Sequence, residues 1–164
     1  MIDKIVIRPI ERRDYPLLEE FLYRSIFVPE GVEPPAREII RLPEIYVYID
    51  GFGGEGDTGV VAEADGQVVG AAWTRIIPAY GQIDPATPEL AISVLPQWRG
   101  QGIGGRMMER LFGMLNDAGY RRTSLSVQQD NPAVRLYQRL GYVITGERPD
   151  GAGHEDYLMT KELD

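Results

Sequence analysis

The sequence predicts an α/β chain built on a mixed, mostly antiparallel sheet of about six to seven strands with helices on both faces. Three observations carry that expectation. Two β-rich runs, residues 59–64 and 67–77, flank Asp65-Gly66, a strong hairpin signal. From residue 90 the pattern runs strand, helix, strand, helix, which requires a right-handed parallel crossover between the two strands involved. Residues 142–147 and 156–161 then pair naturally as a closing hairpin. The 164 residues fit one domain spanning 1–164.

Residues 5–9 read as a first strand. Asp14 is placed to cap the helix that follows, in which Leu18, Phe21, Leu22 and Ser25 keep helical spacing and Glu19 and Glu20 sit near the positive end. Residues 27–35 carry three prolines and one glycine and form a loop. A second helix begins near Pro35, and its course through Leu42 and Pro43 into Tyr46 and Tyr48 is ambiguous. The glycine-rich residues 51–59 lack the Gly-Lys-Ser/Thr of a P-loop and read as a flexible link. After the hairpin comes a connection, residues 77–88, and a fourth strand, residues 90–95. Ile103, Met107, Met108, Leu111, Phe112 and Leu115 line one face of the next helix, which Gly119 stops. A fifth strand covers 123–128. Asn131 then caps a helix with Pro132 at its first position, Ala133, Leu136, Tyr137 and Leu140 share a face, and Gly141 ends it.

Composition removes several chemistries. With no cysteine there is no disulfide, no thiolate nucleophile and no Cys-ligated zinc. The single histidine, His154, lies in a loop-like stretch, so a Ser-His-Asp hydrolase has little to rest on. No metal site is expected. The net charge of -8 and the absence of a Lys/Arg cluster argue against nucleic acid. No apolar run approaches a membrane span and the N-terminus lacks a signal-peptide core, so the expected location is cytoplasmic. An acidic surface serves solubility, and it also suits a cationic amine.

The stretch that carries chemistry is Val94-Leu-Pro-Gln-Trp-Arg99-Gly-Gln-Gly-Ile-Gly104-Gly-Arg, where a strand feeds a helix. The free amides and positive dipole end of a helix N-terminus hold an anion, and glycines at 100, 102, 104 and 105 let a phosphate approach the backbone. A diphosphate is the obvious ligand. Gly100, Gly102 and Gly105 also spell the dinucleotide fingerprint, but that fold wants an acid about 20 positions on, and here that region is Leu125-Ser-Val-Gln-Gln. Four glycines in six residues would be entropically costly for a mere turn.

On these residues the sequence resembles the GNAT superfamily of N-acetyltransferases. Arg99-Gly-Gln-Gly102-Ile-Gly104 fits the family signature Q/R-x-x-G-x-G/A, and Ile92-Ser-Val94-Leu-Pro96 looks like its fourth strand. The segment Asn131-Pro-Ala-Val-Arg-Leu-Tyr137-Gln-Arg-Leu-Gly141-Tyr142 is similar to its second signature, with an asparagine-to-tyrosine offset one residue shorter than in many members. Leu158-Met-Thr-Lys161 resembles its close. The resemblance covers residues 90–161 strongly and the first half only in the order of elements.

The resemblance implies splayed, parallel fourth and fifth strands with acetyl-CoA between them. Pantetheine would pair with backbone of Ile92, Ser93 and Val94. The diphosphate would sit on Arg99, Gly100, Gln101, Gly102, Ile103, Gly104 and Gly105. Asn131 would touch the pantetheine arm or simply hold the helix start. It implies transfer of an acetyl group to a primary amine, of a small molecule, a peptide or protein N-terminus or a lysine, directly in a ternary complex. A homodimer is a common assembly among such proteins. Tyr137 is the candidate general acid for the departing thiolate, against a reading as a core aromatic. For the base, the fifth strand offers Ser124-Leu-Ser-Val and no acid, which leaves Glu89, equally readable as a solvated strand-end acid. That missing acid also admits a different class, a CoA-binding sensor or interaction module without turnover. For the acceptor entrance the candidates are residues 27–35, 77–88 and 149–154, with Tyr46, Tyr48, Trp73 and Tyr80 readable as aromatic walls or equally as core, core being the better reading for Trp73 inside a strand, and Glu30, Glu33 and Asp84 as partners for an ammonium group.

Overall fold

A computed structural model describes residues 4–80, 82–149 and 155–164. His154 and most of the expected 149–154 turn lie outside the described residues. Seven strands form one sheet: β1 (Ile5–Pro9), β2 (Thr58–Ala64), β3 (Gln67–Arg75), β4 (Glu89–Val94), β5 (Arg122–Gln128), β6 (Val143–Pro149) and β7 (Glu155–Glu162). Their order is β1-β2-β3-β4-β5-β7-β6, and every pairing is antiparallel except β4 with β5. The hairpin at Asp65-Gly66 turns through two left-handed residues, φ 50° and 81°, as a tight two-residue connection needs.

Both faces of the sheet are covered. Helix α3 (Ile103–Asp117) lays Ile103, Met107, Met108, Leu111 and Leu115 on one face, where they join Val60, Leu125, Tyr142 and Met159 in a continuous core. Helix α4 (Ala133–Arg139) packs beside it through Val134 and Tyr137. The opposite face carries α1 (Leu18–Ser25) and the one-turn α2 (Pro43–Tyr46), with Leu18, Phe21, Leu22, Ile40 and Ile49 against Val61 and Trp73. The expected second helix is a 3-10 turn, Arg37–Arg41, broken from α2 because Pro43 holds Leu42 extended.

Two sequence expectations change here. Asp14 does not cap α1. It sits inside the preceding 3-10 turn, Arg12–Leu17, where its carboxylate accepts the Glu11 amide at 2.8 Å and a bidentate pair from Arg8 at 2.8 and 3.1 Å. The glycine-rich 51–59 segment is an ordered turn rather than a loose link. The Asp57 carboxylate accepts the Gly53 and Gly54 amides and pairs with Arg75, whose guanidinium also donates to the Val47 and Asp50 carbonyls. Gly53, at φ 116°, lies so close to Tyr15 that a Cβ would meet the ring at 2.7 Å.

Asp14 is 3% exposed, and the hydrogen bond from Arg8 is the main reason its pKa is lowered. A depressed carboxyl pKa stabilises the fold above the unfolded value of about 3.9 and loses that contribution as pH falls below it. Asp14→Asn leaves Arg8 without its main buried partner and is expected to cost about 2–4 kcal/mol at neutral pH. Denaturant titrations at several pH values check this: the difference from wild type should shrink toward pH 3.

Candidate active site

Among the described residues, strands β4 and β5 meet at one register position only, Glu89 opposite Ser124, and no partner strand faces β4 beyond it on that side. The opening therefore widens toward Ile92–Val94 on one wall and Ser126–Gln128 on the other. Two cavities fill it. The first, about 520 Å³, is lined by Ile92, Ser93, Val94, Pro96 and Arg99 from β4 and the turn after it, by Asn131, Ala133 and Tyr137, and by the end of α1 with Phe27, Val28, Pro34 and Pro35. The second, about 480 Å³, is lined by Ile39, Leu42, Glu44, Ile45 and Tyr48, by Tyr80, by Leu90–Ile92, by Leu125–Gln128 and by Asp156. Ser25, Ile26, Phe27, Ile92, Asn131 and Tyr137 belong to both. Tyr137 thus stands where the two cavities join.

The charges of the two differ. Arg24 and Arg99 line the first. Arg99 donates to the Val94 carbonyl at 2.9 Å, and burial, with Arg24 second, holds its pKa below the ordinary value. Glu44 and Asp156 line the second, among mostly apolar side chains.

Beyond Arg99, which lines the first cavity, the β4–α3 connection turns through Gly100, φ 76°, and Gly102, φ 80°. A Cβ on either would meet nothing within 4 Å, so the protein itself leaves the space beside them open. The first amides of α3 belong to Ile103, Gly104 and Gly105, and the helix ladder starts only with Arg106 donating to Gly102. Fifteen residues of helix dipole end there. Ile103 contributes only backbone to this cradle, since its side chain is 2% exposed within the core. Gly104 and Gly105 instead lie beside Ile92 and Leu136, at 3.7–3.9 Å from a built Cβ, which allows α3 and α4 to approach.

The remaining candidates fall as follows. The Ser93 hydroxyl is committed to the Phe21 carbonyl at 2.7 Å, which leaves its backbone for any ligand. Asn131 caps α4, its Oδ1 accepting the Ala133 amide at 2.9 Å, while its side chain still borders both cavities. Tyr137 packs edge-on to Tyr142, ring centroids 6.0 Å apart, and burial pushes its phenol up to about 12. Glu89 is no solvated acid: it is 2% exposed, lines neither cavity, and accepts a hydrogen bond from the Tyr48 hydroxyl.

Several acceptor-side expectations move. Trp73 is core, as its place inside a strand favours: it is 1% exposed and donates to the Tyr48 carbonyl at 2.9 Å. Tyr46 donates to Glu19 under Arg41. Glu30 and Glu33 are exposed and line neither cavity, and Asp84 is bound to Thr87 and the Ala86 amide on a different surface. Tyr48 and Tyr80 do line the second cavity. Glu44, Ser126, Gln128 and Asp156 are polar groups of this cavity that the sequence did not single out; only an alternation on β5 and β7 could have flagged the last three. Among the described residues, no three His, Cys, Asp or Glu side chains gather as a metal site, and no helix is long and apolar enough to cross a membrane.

The family model for GNAT acetyltransferases matches residues 18–142. The chain belongs to that family. GNAT relatives include a mycothiol acetyltransferase of Pseudarthrobacter chlorophenolicus, 35% identical over 85 residues, which is 51% of this chain and 26% of that protein. An uncharacterised N-acetyltransferase of Mycobacterium tuberculosis is 35% identical over 109 residues, 63% of this chain and 66% of that one. The match thus takes in about a quarter of the mycothiol enzyme's length. In fold, this GNAT chain is similar to the ribosomal-protein-S18-alanine N-acetyltransferase of Escherichia coli, with TM-score 0.71, 19% identity and coverage of 98% of this chain and 95% of that one. It is equally similar to an acetyltransferase of Salmonella typhimurium solved with acetyl-CoA, with TM-score 0.71, 20% identity and coverage of 99% and 95%.

Proposed function

We propose that this GNAT domain transfers the acetyl group of acetyl-CoA to a primary amine, directly and without an acyl-enzyme. The observation that carries the reading is the paired cavity: a cationic half lined by Arg24 and by Arg99, which directly precedes the glycines at the start of α3, an acidic and apolar half opposite, and Tyr137 at their junction. The cradle fits a diphosphate, because Gly100 and Gly102 leave open space beside the first amides of α3. The unpaired edge of β4 at Ile92, Ser93 and Val94 fits the amide-bearing pantetheine arm, and Arg99 stands at the same mouth. When bound, acetyl-CoA supplies a thioester whose carbonyl carbon is open to attack.

The residues do the rest. A backbone amide near Val94 is the expected donor to the developing oxyanion. Tyr137 stays protonated throughout the neutral range, with its pKa at about 12. Simple thiols titrate near ~8.5, so full proton transfer from Tyr137 to the leaving sulfur is uphill by about three pKa units. Its contribution is a hydrogen bond that steadies the sulfur as charge develops, and water supplies the proton afterwards. Absence of cysteine leaves no acyl-cysteine route. The acceptor is a cationic amine with apolar flanks, since Glu44 and Asp156 stand among Ile39, Leu42, Ile45 and Leu125. The test is thiol release from acetyl-CoA with a panel of spermidine, benzylamine, lysine, an alanyl dipeptide and an acidic dipeptide. Turnover with a cationic or apolar amine is expected. CoA binding with no turnover across the panel would favour the sensor-module reading.

A further inference from the structure

The junction of the two cavities has three walls: Ser25, Ile26 and Phe27 at the end of α1 and just beyond it, Ile92 on β4, and Asn131 and Tyr137 at α4. On the first wall the Ser25 hydroxyl is committed to the Leu22 carbonyl at 2.6 Å, and Ile26 packs against the core under α1. Phe27 differs. It is half-buried, yet among the described residues it joins neither hydrophobic core. Core packing therefore gives no account of this aromatic side chain, whereas its place beside both cavities does. The backbone that carries it is stiff. Pro29, Pro34 and Pro35 restrict residues 27–35. The two ends of the loop are tied together: the Tyr23 hydroxyl donates to the Pro35 carbonyl at 2.5 Å, and Arg37 pairs with Glu20 while lying over the Tyr23 ring, 4.6 Å from its centroid.

We infer that Phe27 is a steric stop that limits the transferred acyl group to about the size of acetyl. This rests on the transferase reading above. The carbon under attack carries a sulfur, an oxygen, the entering nitrogen and the acyl chain, so four directions are needed at the junction. In that reading the oxygen faces the backbone of β4, the sulfur lies at Tyr137 on α4, and the nitrogen enters from the second cavity. The acyl chain takes the fourth direction, and the wall left for it is the end of α1. Ser25 and Ile26 are engaged elsewhere, which leaves Phe27 to meet the chain. An acetyl group ends at its methyl. A butyryl group adds two methylenes along the same line and must displace the ring from a loop held at both ends. One methylene too many in an apolar site costs about 10–200-fold in kcat/KM, and a stiff wall gives way less readily than a mobile one.

The experiment compares acetyl-, propionyl- and butyryl-CoA with the full chain and the fastest amine of the panel named above, in wild type, Phe27→Leu and Phe27→Ala. Wild type is expected to prefer acetyl-CoA over butyryl-CoA by about 10²-fold in kcat/KM. In Phe27→Ala that preference should narrow to about tenfold or less, with Phe27→Leu between the two and propionyl-CoA between the other donors. The ratio reads selectivity whatever happens to the overall rate. Calorimetry without amine gives a second reading: the ratio of the butyryl-CoA Kd to the acetyl-CoA Kd should fall by about fivefold or more in Phe27→Ala. Thermal unfolding checks that the variants are folded. A folded Phe27→Ala chain with wild-type ratios overturns the stop and leaves the transferase intact, as does a wild type that uses both donors equally. A raised amine KM with both ratios unchanged overturns it too, and puts Phe27 on the acceptor side instead. Should Phe27→Ala fold poorly, Phe27→Leu decides by the same ratios. A wild-type chain inert toward the whole panel with acetyl-CoA overturns the transferase reading and the stop with it.

Discussion

Gly102→Asp is expected to weaken CoA binding by about 10²–10⁴-fold while the chain stays folded. Gly102 precedes α3 at φ 80°, and a Cβ there meets no protein atom within 4 Å. The cost to the fold is therefore the left-handed backbone alone, about 1–2 kcal/mol. Toward a diphosphate the same change adds a carboxylate and a Cβ in the space the cradle leaves open. Losing even two charge-assisted hydrogen bonds costs about 3–6 kcal/mol, and each 1.4 kcal/mol is about tenfold in affinity. Calorimetry with CoA checks the affinity and thermal unfolding checks the fold. Wild-type affinity in a folded variant would remove the diphosphate from α3.

Tyr137→Phe is expected to lower kcat by roughly 10²–10³-fold, the scale of losing one well-placed donor at a centre of developing charge. The edge-on packing against Tyr142 survives, because only the hydroxyl goes. Acetyl-CoA affinity and melting temperature should barely change. The pH profile adds a second check. In the proposed role the protonated phenol is the working form, and with its pKa at about 12 no fall in kcat is expected from it between pH 7 and pH 10. Steady-state kinetics across that range would show such a fall if Tyr137 titrated as an ordinary phenol.

Much of the frame was legible because it rests on local rules. The Asp65-Gly66 turn, the apolar stripe of α3 and the Asn131-Pro132 helix start are each fixed by residues close in sequence, and each stands where the pattern put it. The glycine turn at residues 99–105 was legible for the same reason: strand, glycines and helix are contiguous. What escaped was set by tertiary contact. Asp14 looked like a cap until Arg8 and Glu11 claimed its carboxylate. The glycine run before β2 looked loose because Asp57 and Arg75, which tie it down, are 18 positions apart. Glu89 was readable equally as a base or as a solvated strand-end acid because its partner Tyr48 lies 41 residues earlier. The second cavity suffers most, since α1, α2, β5 and β7 each give it only a few side chains. That is why Glu30 and Glu33 attracted attention and Glu44 and Asp156 did not.

The central claim is that the β4–β5 opening holds acetyl-CoA with its diphosphate on α3 and its sulfur at Tyr137. A crystal structure of the chain with CoA tests it most directly. The account predicts diphosphate oxygens within hydrogen-bond distance of the Ile103, Gly104 and Gly105 amides, and the sulfur within reach of the Tyr137 hydroxyl. CoA bound elsewhere, or bound with its sulfur directed away from the junction of the two cavities, would contradict it.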